Sequence, residues 1–309
     1  MVPLALYIAL FIIGLLLLIK GADWVVSGAS SVASLLGVSA GLIALTIVAI
    51  GTTLPELTVS ATASFLGSSD IALGNVVGSV LCNTALILGL AALIAPLPVG
   101  SSFVKREGMV MLLAGVCLWV VSWGSISRAE GVVLVALFGA YMFFSVRRGI
   151  REGVRKERDP ASRWSQLAIL AVGIICIVGG GQLLVRSTIQ MAIMAGVPQL
   201  LLALTVVAIG TSLPEMAIAI MATRKGRAEI ALGDVIGANI LNIFLVAGVC
   251  SAITPLRVDP MLWRFDMPLM IIVLLLLLAC MRTGWRISRT EGGLLLACYC
   301  ICFGVRAVL

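Results

Sequence analysis

Two glutamates stand in the middle of long apolar runs, each directly after a proline. Glu56 closes ALTIVAIGTTLPE at 44–56, and Glu215 closes ALTVVAIGTSLPE at 203–215. An acidic side chain at the centre of a membrane helix costs about 2.5–3.5 kcal/mol on insertion scales. A chain that places one there twice needs a positive charge to offset it. The residues just upstream offer what a cation requires. Pro55 and Pro214 lack an N–H and clash with the carbonyl four residues back, which frees the oxygens of Gly51 and Gly210. The hydroxyls of Thr52, Thr53, Thr211 and Ser212 lie beside them. Hard cations such as Ca2+ take oxygen ligands of these kinds. The plainer reading is a capping box, Thr53-x-x-Glu56 and Ser212-x-x-Glu215. The cap geometry is expected too, but a cap contributes about 1 kcal/mol and glutamine would serve at that position.

A second pair of blocks keeps the same register. GNVVGSVLCN at 74–83 matches GDVIGANILN at 233–242, again 159 residues apart. On a helix, Asn75, Ser79 and Asn83 form one polar stripe, and the matching stripe is Asp234, Ala238 and Asn242, with Asn239 alongside. Gly74-xxx-Gly78 and Gly233-xxx-Gly237 let a neighbouring backbone approach closely. Asparagines can also serve only to tie helices together. The shared register with the glutamate blocks favours ligation, most strongly at Asn83 and Asn242. Asp234 stands at the Asn75 position, two turns from Asn242, and is read as tuning the charge or proton balance of the site, with Asn75 and Asn239 as further tuning positions. A weaker echo, ISRAEG at 126–131 and ISRTEG at 287–292, slips two residues out of register.

The elements that position these blocks follow from composition. The 309 residues are 61% hydrophobic and 11% charged, with no histidine and a mean hydropathy of +1.19, against about 25% charged in a soluble domain. This excludes a water-soluble enzyme, a disulfide scaffold and a nucleic-acid binder. Apolar runs place spans near 3–34, 40–66, 71–94, 107–124, 129–147, 165–194, 198–222, 230–253, 265–281 and 290–308. The expected fold is an all-α polytopic membrane protein with ten transmembrane helices. The first run reads as a span and not as a cleaved leader. The duplication gives five spans per half, and an odd number inverts the second half: residues 1–146 and 164–309 are two inverted five-helix repeats, joined by a linker at 147–163. Transporters built this way bind substrate near the midplane, where broken helices meet.

Basic residues set the orientation. With both termini outside, fifteen of the 21 Lys and Arg fall in cytoplasmic loops, seven of them in the linker, and four fall outside. Lys20 and Asp23, one turn apart, are expected to pair. Arg186 has no symmetric partner and is a candidate to balance Asp234, whereas Glu107 and Asp266 read as interfacial. The eight cysteines read as small hydrophobes; Cys298, Cys300 and Cys302 alternate, which turns them apart on a helix and argues against a metal site.

The paired motifs resemble those of the cation/calcium exchanger superfamily, in particular prokaryotic sodium/calcium exchangers. The resemblance covers nearly the whole chain. It implies four central cation sites built by the second, third, seventh and eighth spans. By motif position it carries ligand roles onto Thr52, Thr53, Glu56, Ser79, Asn83, Thr211, Ser212 and Glu215, onto the backbone oxygens of Ala49 and Ala208, and onto Asn242. Ala238 replaces a ligand-type serine, Asn242 stands where an acid can occur, and Asp234 stands where asparagine is usual; this form looks more like bacterial inner-membrane members. The expected function is Na+/Ca2+ antiport by alternating access in the inner membrane. Ca2+ and Na+ are the transported ions, with no resident cofactor, no catalytic residue and no obligatory protein partner. Proton-coupled cation exchange is the alternative within transport, and a cation channel is the alternative of another class.

Overall fold

The computed structural model describes residues 4–153, 163–195 and 208–308. Helix α1 spans Leu4–Leu36, about 50 Å at 1.5 Å per residue, so it must tilt to fit a hydrocarbon core of about 30 Å. It is followed by α2 (Ala40–Thr52), α3 (Leu54–Phe65), α4 (Ser69–Ile94), α5 (residues 101–121) and α6 (Arg128–Glu152). The remaining helices are α7 (Arg163–Met194), α8 (Leu213–Arg224, after a short turn at Ala208–Gly210), α9 (Ala228–Ile253), α10 (Leu262–Arg282) and α11 (Arg289–Val308). Six of these, α1, α4, α6, α7, α9 and α10, are long and apolar enough to cross a membrane, and the bent pair α2–α3 makes a seventh if taken as one span. The chain is an integral membrane protein. Of the expected 198–222 span, residues 213–222 lie in α8, and its first part, 198–207, is outside the described residues.

Helices α1 and α7 pack antiparallel through small residues. A Cβ built on Gly14 would meet the Gly180 oxygen at 2.8 Å, one on Gly21 the Gly173 oxygen at 2.9 Å, and one on Gly28 the Leu170 Cα at 3.0 Å. Inside, α4 and α9 are the most buried of the long apolar helices. The close approach expected at Gly233 and Gly237 is present: a Cβ on Gly237 would fall 2.9 Å from the Ala49 Cβ. For Gly74 and Gly78 no described residue lies within 4 Å of such a Cβ; the repeat counterparts of Gly41 and Leu45, residues 200 and 204, are outside the described residues.

The two halves are cross-linked at their ends. Strand β1 (Leu97–Pro98) pairs antiparallel with β4 (Arg286–Ile287), and β2 (Ser125–Ile126) with β3 (Leu256–Arg257). Helix α6 packs on the end of α9, with Gly131 against Gly248, and α11 packs on the end of α4, with Gly292 against Gly89. Arg128 donates to the Ile253 carbonyl at 3.3 Å and Arg289 to the Ile94 carbonyl at 3.2 Å, so each arginine caps the C-terminus of a helix from the other half. The ISRAEG and ISRTEG echo marks the starts of α6 and α11. Ser127 with Glu130 forms a complete capping box, and Ser288 with Glu291 repeats it, the Glu291 carboxylate accepting from the Ser288 N–H at 2.7 Å. Between α5 and α10, Trp119 and Trp263 exchange indole N–H bonds to each other's carbonyls at 3.1 and 3.0 Å.

Three expectations are corrected. Asp23 does not pair with Lys20. Lys225, just past the end of α8, reaches across to it at 2.6 Å and also donates to Ser27 Oγ at 2.9 Å. Cys298 and Cys302 are not turned apart, since positions four apart share a helix face; their sulfurs are 3.9 Å apart. Helix α6 does not end at 147 but runs to Glu152, stopped by Gly153 at φ +37°, because Arg147, Arg148 and Arg151 are good helix formers that suit the negative end of the helix dipole. The rest of the linker, 154–162, is outside the described residues.

Gly131→Ala and Gly292→Ala should each destabilise the fold by about 1–3 kcal/mol through overpacking, because the added carbon meets backbone atoms within 3 Å. Gly139 and Gly293, on the same two helices, meet nothing within 4 Å. Alanine there should be neutral or stabilising, by up to about 1 kcal/mol. Thermal unfolding in detergent separates the two pairs, and a common response would remove the packing argument.

Candidate functional site

The chain bends by 43° between α2 and α3. The Thr53 N–H still bonds the Ala49 oxygen at 3.0 Å, and the helix restarts at Leu54 with Pro55 in its first turn, where a missing N–H has no consequence. Helix α8 starts in the same way, with Pro214 in its first turn and the Ser212 N–H on the Ile209 oxygen at 3.1 Å. Glu56 and Glu215 therefore sit in the first turn of a short helix, and both are fully buried.

Neither glutamate closes a capping box, contrary to expectation. Thr53 and Ser212 make no side-chain cap bond, and Thr53 keeps helical dihedrals. The Ser212 hydroxyl is committed across the halves instead. Ser212 Oγ donates to Glu56 Oε1 at 3.1 Å, and the Glu215 carboxylate faces the Thr52 and Thr53 hydroxyls. Each glutamate thus addresses the helix break of the other half. Asn75 holds α3 in place by donating to the Glu56 carbonyl at 3.3 Å and to Ser60 Oγ at 2.9 Å. Thr52 Oγ1 lies 3.3 Å from the Asp234 Oδ1 and 3.3 Å from the Ala49 oxygen. That oxygen therefore already has two donors near it. Ala208 opens the first described turn before α8.

Asn83 and Asn242 lie on π-helical turns, Cys82–Ile87 within α4 and Leu241–Val246 within α9. Such single turns are frequent at functional sites because they change the phase of the side chains. Asn239 points elsewhere: its amide donates to Thr84 Oγ1 at 2.8 Å, and the repeat counterpart of Thr84 is Ile243. Cys82 is more than an isolated small hydrophobe, since its thiol lies against the hydroxyls of Ser212 and Tyr299. Its adjacency to Asn83 was the available signal.

Among the described residues, the buried side-chain nitrogen and oxygen atoms without a hydrogen-bond partner number twelve, and they belong to Thr53, Glu56, Ser79, Asn83, Thr211, Glu215, Asp234, Asn239 and Asn242. Every one of the nine was singled out from the sequence. An unsatisfied buried polar atom costs about 1–3 kcal/mol and more if charged, so a dozen of them on four helices, ten oxygens and two amide nitrogens, calls for partners that these side chains do not supply to one another. No described ion pair includes Glu56, Glu215 or Asp234. No group of three or more His, Cys, Asp or Glu side chains is placed to hold a metal among the described residues, and most of the orphaned oxygens belong to hydroxyls and amides. Arg186 does not balance Asp234. It is exposed on α7 and lines a cavity of about 190 Å³ with Pro55, Thr58, Val185, Thr211 and Pro214. This cavity touches both helix breaks.

The family model described as sodium/calcium exchanger protein matches residues 6–147 and 165–308. The chain belongs to this family. It is 35% identical to the sodium/calcium exchanger MaX1 of Methanosarcina acetivorans, covering 94% of this chain and 95% of that protein. It is 37% identical to the inner membrane protein YrbG of Escherichia coli, over 93% and 92% of the two chains. A solved structure of the sodium-calcium exchanger NCX_Mj, soaked with Na+ and Sr2+, superposes with a TM-score of 0.90 at 33% identity, covering 98% of this chain and 99% of that one. Membership makes the protein a membrane cation/Ca2+ exchanger, and its relatives are transporters.

Ser212→Ala removes the hydroxyl that orients Glu56. A hydrogen bond to a charged group contributes about 1.5–3 kcal/mol, so Ca2+ affinity should fall roughly tenfold or more in a protein that still folds. Equilibrium binding of radioactive Ca2+ reads this directly; an unchanged affinity would take Ser212 out of the site.

Proposed function

We propose that the protein is a secondary antiporter that exchanges Na+ for Ca2+ by alternating access, with both ions using one central site between Glu56 and Glu215. The observation that carries this reading is the set of unpartnered buried oxygens around the two glutamates. Thr52, Thr53, Ser79, Asn83, Thr211, Ser212 and Asn242, with the backbone oxygens of Ala49 and Ala208, complete the ligand set. Ten spans in two inverted five-helix repeats, 1–146 and 164–309, place these residues near the midplane.

Ca2+ takes six to eight oxygens, and two carboxylates neutralise its charge. Na+ carries half that charge, so several Na+ ions can divide the same oxygens among them. Competition for shared ligands is the coupling. Without a cation, two carboxylates face each other in low dielectric, and separating unpaired charges from water is costly. The unloaded carrier therefore resists occlusion, and exchange is obligatory. The glycine-packed pair α1–α7 slides across the fixed core of α4 and α9 to expose the site on alternate sides. Both termini face outward from the inner membrane, and the 147–163 linker is cytoplasmic, because its arginines carry the positive-inside bias.

Glu56→Gln and Glu215→Gln preserve size and remove one charge each. Either should abolish Ca2+ uptake into Na+-loaded proteoliposomes, with K+-loaded vesicles and an imposed pH gradient as controls. Uptake driven by the pH gradient alone would mean proton coupling, uptake with no cation on the opposite side would mean a channel, and near-normal exchange by either variant would remove the glutamates from the centre.

Orientation is checked separately. Single cysteines placed in the 147–163 linker of a variant lacking the eight natural ones should resist an impermeant thiol reagent on intact cells. They should react once the membrane is opened. Labelling of intact cells reverses the orientation.

A further inference from the structure

The two ends of the α1–α7 pair are built differently. Along the seam where Gly14 meets Gly180 and Gly21 meets Gly173, Asp23 and Ser27 lie toward one end, and Gln182 and Arg186 lie toward the other. These residues hold equivalent places in the repeat, Asp23 with Gln182 and Ser27 with Arg186, at the same spacing of 159 residues. At the first end α1 packs along α8, and Ala22, Val26 and Ile218 are buried there. At the second end their equivalents, Gly181, Val185 and Val59, line the cavity of about 190 Å³ between α7 and α3, together with Gln182 and Arg186.

A lysine spans the closed end. The Lys225 ammonium lies 2.6 Å from Asp23 Oδ1, 3.2 Å from the Asp23 carbonyl oxygen and 2.9 Å from Ser27 Oγ. All three of its protons therefore have an acceptor. The Lys225 backbone is fixed as well. Gly226 ends α8 in a left-handed turn at φ +67°, and the Arg227 N–H bonds the Ala222 oxygen at 2.8 Å. The same turn ends α3, with Gly67 at φ +79°, but Leu66 stands where Lys225 does. No described ion pair joins α7 to α3.

We propose that the contact of Lys225 with Asp23 and Ser27 is a latch that closes the exchange path at this end and must break for the end to open. The inference rests on the alternating-access reading given above. Helix α8 packs on α9 and belongs to the core, whereas Asp23 and Ser27 ride on the sliding pair, so sliding separates them from Lys225. The other end has Leu66, Gln182 and Arg186 in the equivalent places and forms no such ion pair when it closes. The two states of the carrier are therefore unequal in energy, and the state with the Lys225 end shut is the resting one. Once the latch is released, Asp23 and Val26 line an opening at this end, as Gln182 and Val185 do at the other.

The test starts from a variant lacking the eight natural cysteines. With Asp23→Cys and Lys225→Cys added, a short cleavable bifunctional thiol reagent ties α1 to α8. Bridging should lower Na+-driven Ca2+ uptake into proteoliposomes by more than tenfold, and cleavage of the bridge should restore it. Equilibrium Ca2+ binding in detergent should survive, because the opposite end stays open. Continued exchange by protein shown by its mass to be bridged would overturn the inference, and so would loss of Ca2+ binding along with exchange. A second measurement needs no transport. The thiol of Val26→Cys should react with a water-soluble reagent roughly two- to fivefold faster once Lys225→Gln or Asp23→Asn is added, the range for a partly exposed ion pair. Exchanging the charges, Asp23→Lys with Lys225→Asp, should return the slow rate. Unchanged reactivity in the single variants, or a charge exchange as fast as they are, would remove the latch. Amide hydrogen exchange over residues 22–27 makes the same comparison in the protein with its natural cysteines, so the outcome does not depend on the cysteine-free variant folding. Absence of Na+-driven uptake by the unbridged protein would bring down the antiport reading alone, and the labelling would still decide the latch.

Discussion

The constraint on which the structure depends is the burial of Glu56 and Glu215 without a basic partner. A removed counter-charge in low dielectric costs several kcal/mol, and no arginine or lysine of the described chain is paired with either residue. The fold answers with geometry. Each helix break places hydroxyls where the opposite glutamate can face them, and the π-helical turns that carry Asn83 and Asn242 pack against α8 and α3. Small residues at Gly233 and Gly237 bring α9 against α2, close enough for Thr52 to meet Asp234. The site is therefore a property of the interface between the halves. Neither half contains it alone.

Much of this was legible in the sequence because the signals were chemical and duplicated. A Pro–Glu pair in an apolar run, repeated 159 residues on, can be read without coordinates. So can a stripe of Asn and Ser at helical spacing. All nine residues with orphaned polar atoms were found in that way. What could not be read was the direction in which each side chain spends its hydrogen bond. Thr53-x-x-Glu56 has the spacing of a capping box, but Thr53 keeps helical dihedrals and Ser212 turns to the opposite half. The true capping boxes were hidden in the ISRAEG and ISRTEG echo, where the repeat was noticed and its local meaning was not.

Charges on flexible side chains were the least legible feature. Lys20 and Asp23 are neighbours on one helix face, yet Asp23 is held by Lys225, two hundred residues away in sequence. A lysine at the end of a helix can reach in many directions, and only the placement of α1 beside α8 selects one. Arg186 shows the same limit. Its lack of a symmetric mate was visible, and its position at the cavity beside both prolines was not.

The cross-pairing of β1 with β4 and of β2 with β3, with α6 on the end of α9 and α11 on the end of α4, bears on how the chain is made. A ribosome delivers the first half before the second exists. Until α9 and α11 arrive, Gly89 and Gly131 have no mates, the Ile94 carbonyl has no arginine, and Glu56 has no Ser212. The contacts that complete the first half span more than a hundred residues, so their closure is late and slow relative to helix insertion. During synthesis the newborn first half holds Glu56 without the hydroxyl that faces it in the finished fold. The glycine seams and the end-strand pairs supply the register on which the second half docks.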